Sequence, residues 1–341
     1  MARAIRYRCG APWRAAAIWA LSVFLIFLVL RFCAENSRFQ SPPSNSELQL
    51  SIMERRSELY DKMARDLEEH GAAFLRGGET SQSLSLSDIF CLKNGSVTPI
   101  LKPADPPVRA NVLYLSSEYA APLSQAVRDV FLPYFDEGIW FQNVSMYHFS
   151  MFHASHHLSP VRASDAEIEA EVRAVEAAAE ELCPLKVVLD RVVLTSTGVL
   201  LGCWQVVSGS DPLIIREKLR KLLPRAPKEQ LYDPVLLHTS FARLLRRPKT
   251  PIRENPTATG QLLFLRELVK EVNRKVRGFE AWVSKLWFVE ELDLLALALN
   301  GRMKVRGFDL SSCSGRSGQP HGQRLENGLQ ASGSDRIGVR R

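Results

Sequence analysis

Four histidines in this chain are followed two residues later by serine: His148–Ser150, His153–Ser155, His157–Ser159 and His238–Ser240. Histidine is the side chain that most readily gives and takes a proton near neutral pH. Splitting a phosphodiester without a metal needs one group to activate the attacking oxygen and another to protonate the leaving oxygen, and two histidines can supply both. On a β-strand, residues i and i+2 share a face, so each serine hydroxyl would stand beside its histidine. There it could hold a phosphoryl oxygen and stabilise its developing charge.

A His-x-Ser triplet alone is not specific, and strand parity selects among the four. In Tyr147–Met151 the bulky Tyr147, Phe149 and Met151 take one face while His148 and Ser150 take the other, as befits a site above a core. His238 and Ser240 likewise share a face of Leu236–Arg243. His153 falls on the apolar parity, and His157 precedes a proline loop, so His153, His156 and His157 read as a loop rim. No carboxylate or cysteine accompanies these three at metal-ligand spacing, and no metal site is expected.

The elements that must hold these residues follow from periodicity and caps. The strands expected are 145–152, 185–194, 198–207 and 233–242, with one or two more in 281–299. A helix is expected over 163–182, opened by Ser164-Asp165, and another from Asp211-Pro212 to about Leu223, with proline in the first turn. A third helix covers 257–276. Upstream, Leu48, Ile52, Leu59, Met63 and Leu67 mark a helix over 46–76, read as packed on the domain in preference to a coiled-coil stalk. Segments 77–87 and 99–107 read as loops. The fold class is α+β.

With these motifs in hand, the chain resembles the 2H phosphoesterase superfamily, specifically the RNA ligase/cyclic nucleotide phosphodiesterase group. His148-Phe149-Ser150-Met151 matches the first motif throughout, and His238-Thr239-Ser240-Phe241-Ala242-Arg243 is similar to the second with its trailing Ala-Arg. The resemblance spans roughly residues 110–308. It departs in using Ser in both motifs where Thr is commoner, and in placing Thr239 at a normally apolar position. It implies a duplicated fold in which two antiparallel sheets flank a central cleft with helices outside. It also implies His148 and His238 as the acid–base pair, roles unassigned between them, with Ser150 and Ser240 binding phosphate and no cofactor. Arg243 becomes a further phosphate contact by motif position, although its parity differs from His238 and an external ion pair fits equally. The expected function is metal-independent cleavage of a small phosphodiester, such as a 2′,3′-cyclic phosphate or an RNA end. The alternative is an inactive 2H-fold binding or scaffold protein tethered to endomembranes. A glycan-processing enzyme is a weaker rival, because no acidic cluster supports it.

The formal charge of +7 gives no support for a polyanion groove once it is located. Residues 1–34 carry five Arg and no acid, residues 309–341 carry five Arg against three acids, and 34 basic and 34 acidic residues remain between them. No stable binding of duplex nucleic acid is expected from a neutral body. The basic run Arg243, Arg246, Arg247, Lys249 and Arg253 reads as a solvated face that could also steer phosphate. Trp204, Trp282 and Trp287 read as core in preference to base-stacking residues. Six cysteines without C-x-x-C spacing exclude a disulfide framework, leaving room for one bridge among Cys91, Cys183 and Cys203.

Ala15 to Leu30 contains no charge and is bracketed by Arg14 and Arg31. A transmembrane anchor is therefore expected over 15–33, after an Arg-rich cytosolic segment 1–14. Residues 34–109 follow as spacer, helix and loops, 110–308 as the phosphoesterase-like domain, and 309–341 as a disordered tail. The positive-inside rule makes this a single-pass type II protein of the ER or Golgi with a lumenal body. The sequons at Asn94 and Asn143 agree with that orientation.

Overall fold

The computed structural model describes residues 45–76, 84–93, 96–135, 138–249 and 258–311. The expected anchor at 15–33 and residues 312–341 of the expected tail lie outside these; the first three residues of that tail, 309–311, are instead structured, with Leu310 buried and bonded to the Ser284 carbonyl. Among the described residues, no helix is long and apolar enough to cross a membrane.

Two antiparallel sheets make the body. The first is built from β3 (Pro103–Tyr114), β5 (His148–Ser155), β10 (Lys285–Asp293) and β11 (Met303–Asp309), in the order β11-β10-β3-β5. The second is built from β4 (Ile139–Phe141), β6 (Leu185–Leu194), β7 (Val199–Ser208), β8 (His238–Leu244) and β9 (Glu280–Val283), in the order β4-β8-β7-β6-β9. A small hairpin, β1 (Phe90–Lys93) with β2 (Ser96–Pro99), stands apart, preceded by helix α1 (Asn45–His70) and the short helix α2 (Leu86–Ile89). Helices α4 (Asp165–Glu180) and α5 (Pro212–Leu222) pack on the first sheet, while α3 (Ser117–Phe131) and α6 (Ala258–Val276) pack together beside the second. Phe149, Phe152, Trp204, Phe241 and Phe288 fill the main core between these layers.

Local chemistry explains the helices that the sequence announces. Ser164 and Glu167 form a reciprocal capping box at α4, and the Asp211 carboxylate caps α5 by accepting from the Leu213 N–H. Helix α1 is docked on the second sheet, with Ile52 and Leu67 buried. Its deepest contacts come from polar residues on the same stripe. Arg56 is wholly buried, chelates Asp211 through one guanidinium nitrogen at 3.0 and 2.8 Å, and donates from Nε to the Val235 carbonyl. The Tyr60 hydroxyl lies 2.7 Å from the carbonyls of Trp204 and Leu237.

Several boundaries differ from expectation, each for a physical reason. Strand β8 begins at His238 instead of 233, because side chains satisfy the preceding carbonyls. Arg216 takes those of Pro234 and Leu236 and Arg56 that of Val235, and only at Leu237 does the carbonyl accept from a β7 N–H, that of Trp204. Strand β3 reaches back into the expected loop at 99–107. Pairing with β5 starts only at Arg109, so the first part of β3 has a free edge where Pro106 and Pro107 leave no bond unmade. Residues 144–146 form a 3-10 turn capped by Asn143, so β5 starts at His148. Residues 296–299 form a short helix, α7 (Ala296–Leu299), flanked by Leu295 and Asn300 at φ 58°. Cys183 is disulfide-bonded, whereas Cys91 and Cys203 are free thiols, so no bridge joins the three body cysteines to one another.

Candidate active site

Strands β5 and β8 bring the two motifs to one cleft between the sheets, lined by His148, Ser150, His238, Ser240 and Arg243 together. Inward parity follows from packing: Phe149 and Met151 on β5, and Phe241 on β8, are buried in the main core on the opposite face. Thr239, at the position where an apolar residue was expected, is also buried. Its hydroxyl accepts the Trp204 indole N–H at 2.7 Å, which gives that threonine a structural purpose.

Parity fails at two positions, and both failures point into the cleft. Ser150 pairs with Val112 but His153 with Ala110, so three steps on β5 oppose two on β3. That irregularity turns His153 from the apolar face to the cleft, where it lines the wall with His157. On β8, Ser240 pairs with Leu201 and Arg243 with Val199, again three steps against two. Arg243 thereby joins the face of His238, against the opposite parity read from sequence. The two strands carry the same arrangement: a histidine, a serine two residues on, and a basic side chain five residues on. His156 is a rim residue of structural type, its Nε2 donating to the Glu229 carbonyl while Nδ1 accepts from the Ser159 N–H.

Electrostatics in the cleft favours neutral histidines. His148 donates from Nδ1 to the Met146 carbonyl at 2.7 Å, which leaves Nε2 as the basic nitrogen. Burial lowers its pKa, and the hydrogen bond works against that. His238 is pushed down to about 3, by burial first and then by the charges of Arg216, His148 and Arg243. His153 also falls to about 3, from burial and its histidine neighbours.

Two residues that sequence reasoning did not single out shape this site. Arg216 on α5 is 6% exposed and ties both motif strands together. It donates to the carbonyls of Ser150 and Met151 at the first motif, and to those of Pro234 and Leu236 leading into the second. Glu291 on β10 lines the far wall, 6% exposed, with Oε2 buried and lacking a hydrogen-bond partner. Burial raises its pKa to about 7 against the backbone hydrogen bonds of Leu297 and Ala296. The wall formed by Leu297 and Ala298 is fastened from β4 and the turn after it, by Trp140 Nε1 to the Ala298 carbonyl, Gln142 Nε2 to that of Leu297, and Asn143 to Asn300. Of the tryptophans, Trp204 is core, Trp282 is exposed, and Trp287 stacks on Tyr114 with centroids 4.0 Å apart. Arg246, Arg247 and Lys249 are exposed, and Arg253 lies outside the described residues. Among the described residues, no cluster of three or more His, Cys, Asp or Glu stands where it could hold a metal.

These shifts make stability pH-dependent. A histidine near 3 when folded and about 6.5 when unfolded binds fewer protons in the folded state, so its contribution is full above 6.5 and is lost as pH falls. At pH 5, His153 and His238 should each cost about 2 kcal/mol. Glu291 acts in the opposite sense: its raised pKa makes the folded state bind more protons, so its contribution is present in acid and lost as pH rises through 7. Denaturant unfolding at pH 7.5 and 5.0 should therefore show a smaller acid loss for His153→Gln than for the parent, and a larger one for Glu291→Gln. Identical losses in all three would contradict the buried-neutral assignment.

The geometry defines a two-sheet α+β protein whose cleft gathers two histidines, two serines and an arginine from separate strands. No protein-family model and no curated protein matches the chain. Among solved structures, it is similar to the protein TT0787 of Thermus thermophilus, at 17% identity over 60% of this chain and 99% of that one, with a TM-score of 0.40. It is also similar to LigT of E. coli in apo form, at 12% identity over 62% and 99% with a TM-score of 0.36. A protein described as a phosphoesterase gives 14% identity over 62% and 100%, with a TM-score of 0.35. These superpositions are loose, and the chemistry of the cleft rests on its own residues.

Proposed function

We propose that the cleft cleaves a small phosphodiester, of the 2′,3′-cyclic phosphate or RNA-end type, by metal-independent acid–base catalysis. The observation that carries this reading is the convergence of both His-x-Ser pairs, with Arg243, on one cleft. His238, held neutral beside Arg216 and Arg243, takes the proton of the attacking oxygen as that oxygen bonds to phosphorus. The bond to the leaving oxygen breaks, and His148 gives that oxygen a proton from Nε2. The Nδ1–H bond to Met146 supports the charged form of His148 before the transfer. Ser150, Ser240 and Arg243 hold the phosphoryl oxygens as charge develops.

The test is turnover of 2′,3′-cyclic nucleotides in EDTA. Activity that survives chelation supports the proposal, and activity that disappears and returns with a divalent ion refutes it. Both histidines have depressed pKa values, so only acid supplies the protonated His148 in the free enzyme. Between pH 6.5 and 8.5, kcat/KM should therefore fall by about tenfold per unit. A flat profile would assign the acid elsewhere.

Anchorage at the ER or Golgi membrane through residues 15–33, with a lumenal body, belongs to the same proposal. A disulfide at Cys183 fits an oxidising compartment. Protease added to sealed microsomes should leave the domain uncut, and cleavage would put it in the cytosol.

A further inference from the structure

Past Ser240 and Arg243 the cleft continues into an annex of about 160 Å³, walled by Met63 of α1 with Val199, Leu201 and Leu236. His238, Ser240 and Arg243 line both spaces, so a phosphoryl group held by them would have one ester arm on each side. The two sides differ in chemistry. One carries His153, His157 and the unpartnered carboxylate oxygen of Glu291, whereas the annex, beyond Tyr232 at its junction with the cleft, is walled by the apolar Met63, Val199, Leu201 and Leu236 with two threonines. Its two threonines are bonded to each other. Thr195 Oγ1 bonds Thr197 Oγ1 at 2.9 Å and accepts from the Val199 N–H at 3.1 Å, so both hydroxyls are engaged within their own turn. A nucleobase in this space would meet at most the Tyr232 and Thr197 hydroxyls with its several polar edge atoms, while an alkyl chain would leave nothing unmatched.

We infer that the site takes an asymmetric phosphodiester, with an aliphatic chain as the ester arm seated in the annex and a hydroxyl- or amine-bearing arm toward Glu291. The inference rests on the acid–base phosphodiester reading of the cleft and departs from its cyclic form: in a 2′,3′-cyclic phosphate both ester oxygens belong to one ribose, whereas this site takes an open diester with two different arms. Helix α1, packed on the domain as its periodicity predicts, supplies the outer wall of the chain site through Met63.

Calorimetric titration of the full chain, in EDTA and without alkyl detergent, would use methyl phosphate, butyl phosphate and uridine 3′-monophosphate. Each buried methylene contributes about a fourfold gain, so butyl phosphate, with three more, should bind roughly sixtyfold tighter than methyl phosphate. Met63→Trp, which fills the annex, should cancel that gain. Should the larger side chain prevent folding, Met63→Gln should still reduce the gain. Equal affinities for the two alkyl phosphates, or tighter binding of uridine 3′-monophosphate than of butyl phosphate, would overturn the inference. A butyl preference in a protein that turns over no diester would leave it standing and remove the catalytic reading. Failure of all three phosphates to bind would remove both.

Discussion

His148→Ala and His238→Ala should each lower kcat/KM for a cyclic phosphodiester by about 10²–10⁴-fold, the range expected when a positioned acid or base is deleted. The two losses should not multiply in the double variant, because a proton relay needs both ends. His148 keeps only one hydrogen bond to the fold, at Met146, so its removal should leave the melting temperature nearly unchanged. Removing His238 takes away a buried neutral imidazole and should also lessen acid sensitivity. The decisive comparison is with His156→Ala, whose ring bonds Glu229 and Ser159 outside the proton-transfer pair. If that variant loses as much activity as the other two at equal folding, the assignment of His148 and His238 fails.

Arg216→Met should be the most damaging substitution away from the histidines. It would leave four carbonyls, at Ser150, Met151, Pro234 and Leu236, without their donor in a buried setting. At about 1–3 kcal/mol per stranded group, with partial relaxation, the cost should reach about 3–5 kcal/mol. The melting temperature should drop by roughly 10 °C. Arg216→Lys should recover only part of this, because one ammonium cannot reproduce the planar fork. Activity measured well below the transition should still fall, since the same bonds hold the backbone of Ser150 and the approach to His238. An unchanged melting temperature in Arg216→Met would mean that water replaces the guanidinium.

What could be read from sequence was local. Ser164 with Glu167, and Asp211 with Pro212, announced their helices because a cap is chemistry within a few residues. His148, Ser150, His238 and Ser240 were placed by a two-residue period, and the structure gathers all four. The misses are non-local. His153 and Arg243 reach the cleft through register shifts against β3 and β7, and no parity count along a single strand contains its neighbour's register. Arg56 and Arg216 look like surface cations in a helix, and only the distant carbonyls and Asp211 that they meet explain their burial. Glu291 stands in a run of acids whose burial depends on a facing wall contributed by α7.

The Tyr60 hydroxyl, placed between the carbonyls of Trp204 and Leu237, has a consequence for how this chain can be divided. A side chain from the first helix braces the direct bond from the Trp204 N–H to the Leu237 carbonyl, one residue before His238. Cutting that helix away would leave that backbone bond without its brace, next to the position where the second histidine is aimed. The helix and β8 are therefore one structural unit. A change that loosens α1, whether by shortening the chain or by pulling on it from the amino-terminal side, would be felt first as a misdirected imidazole.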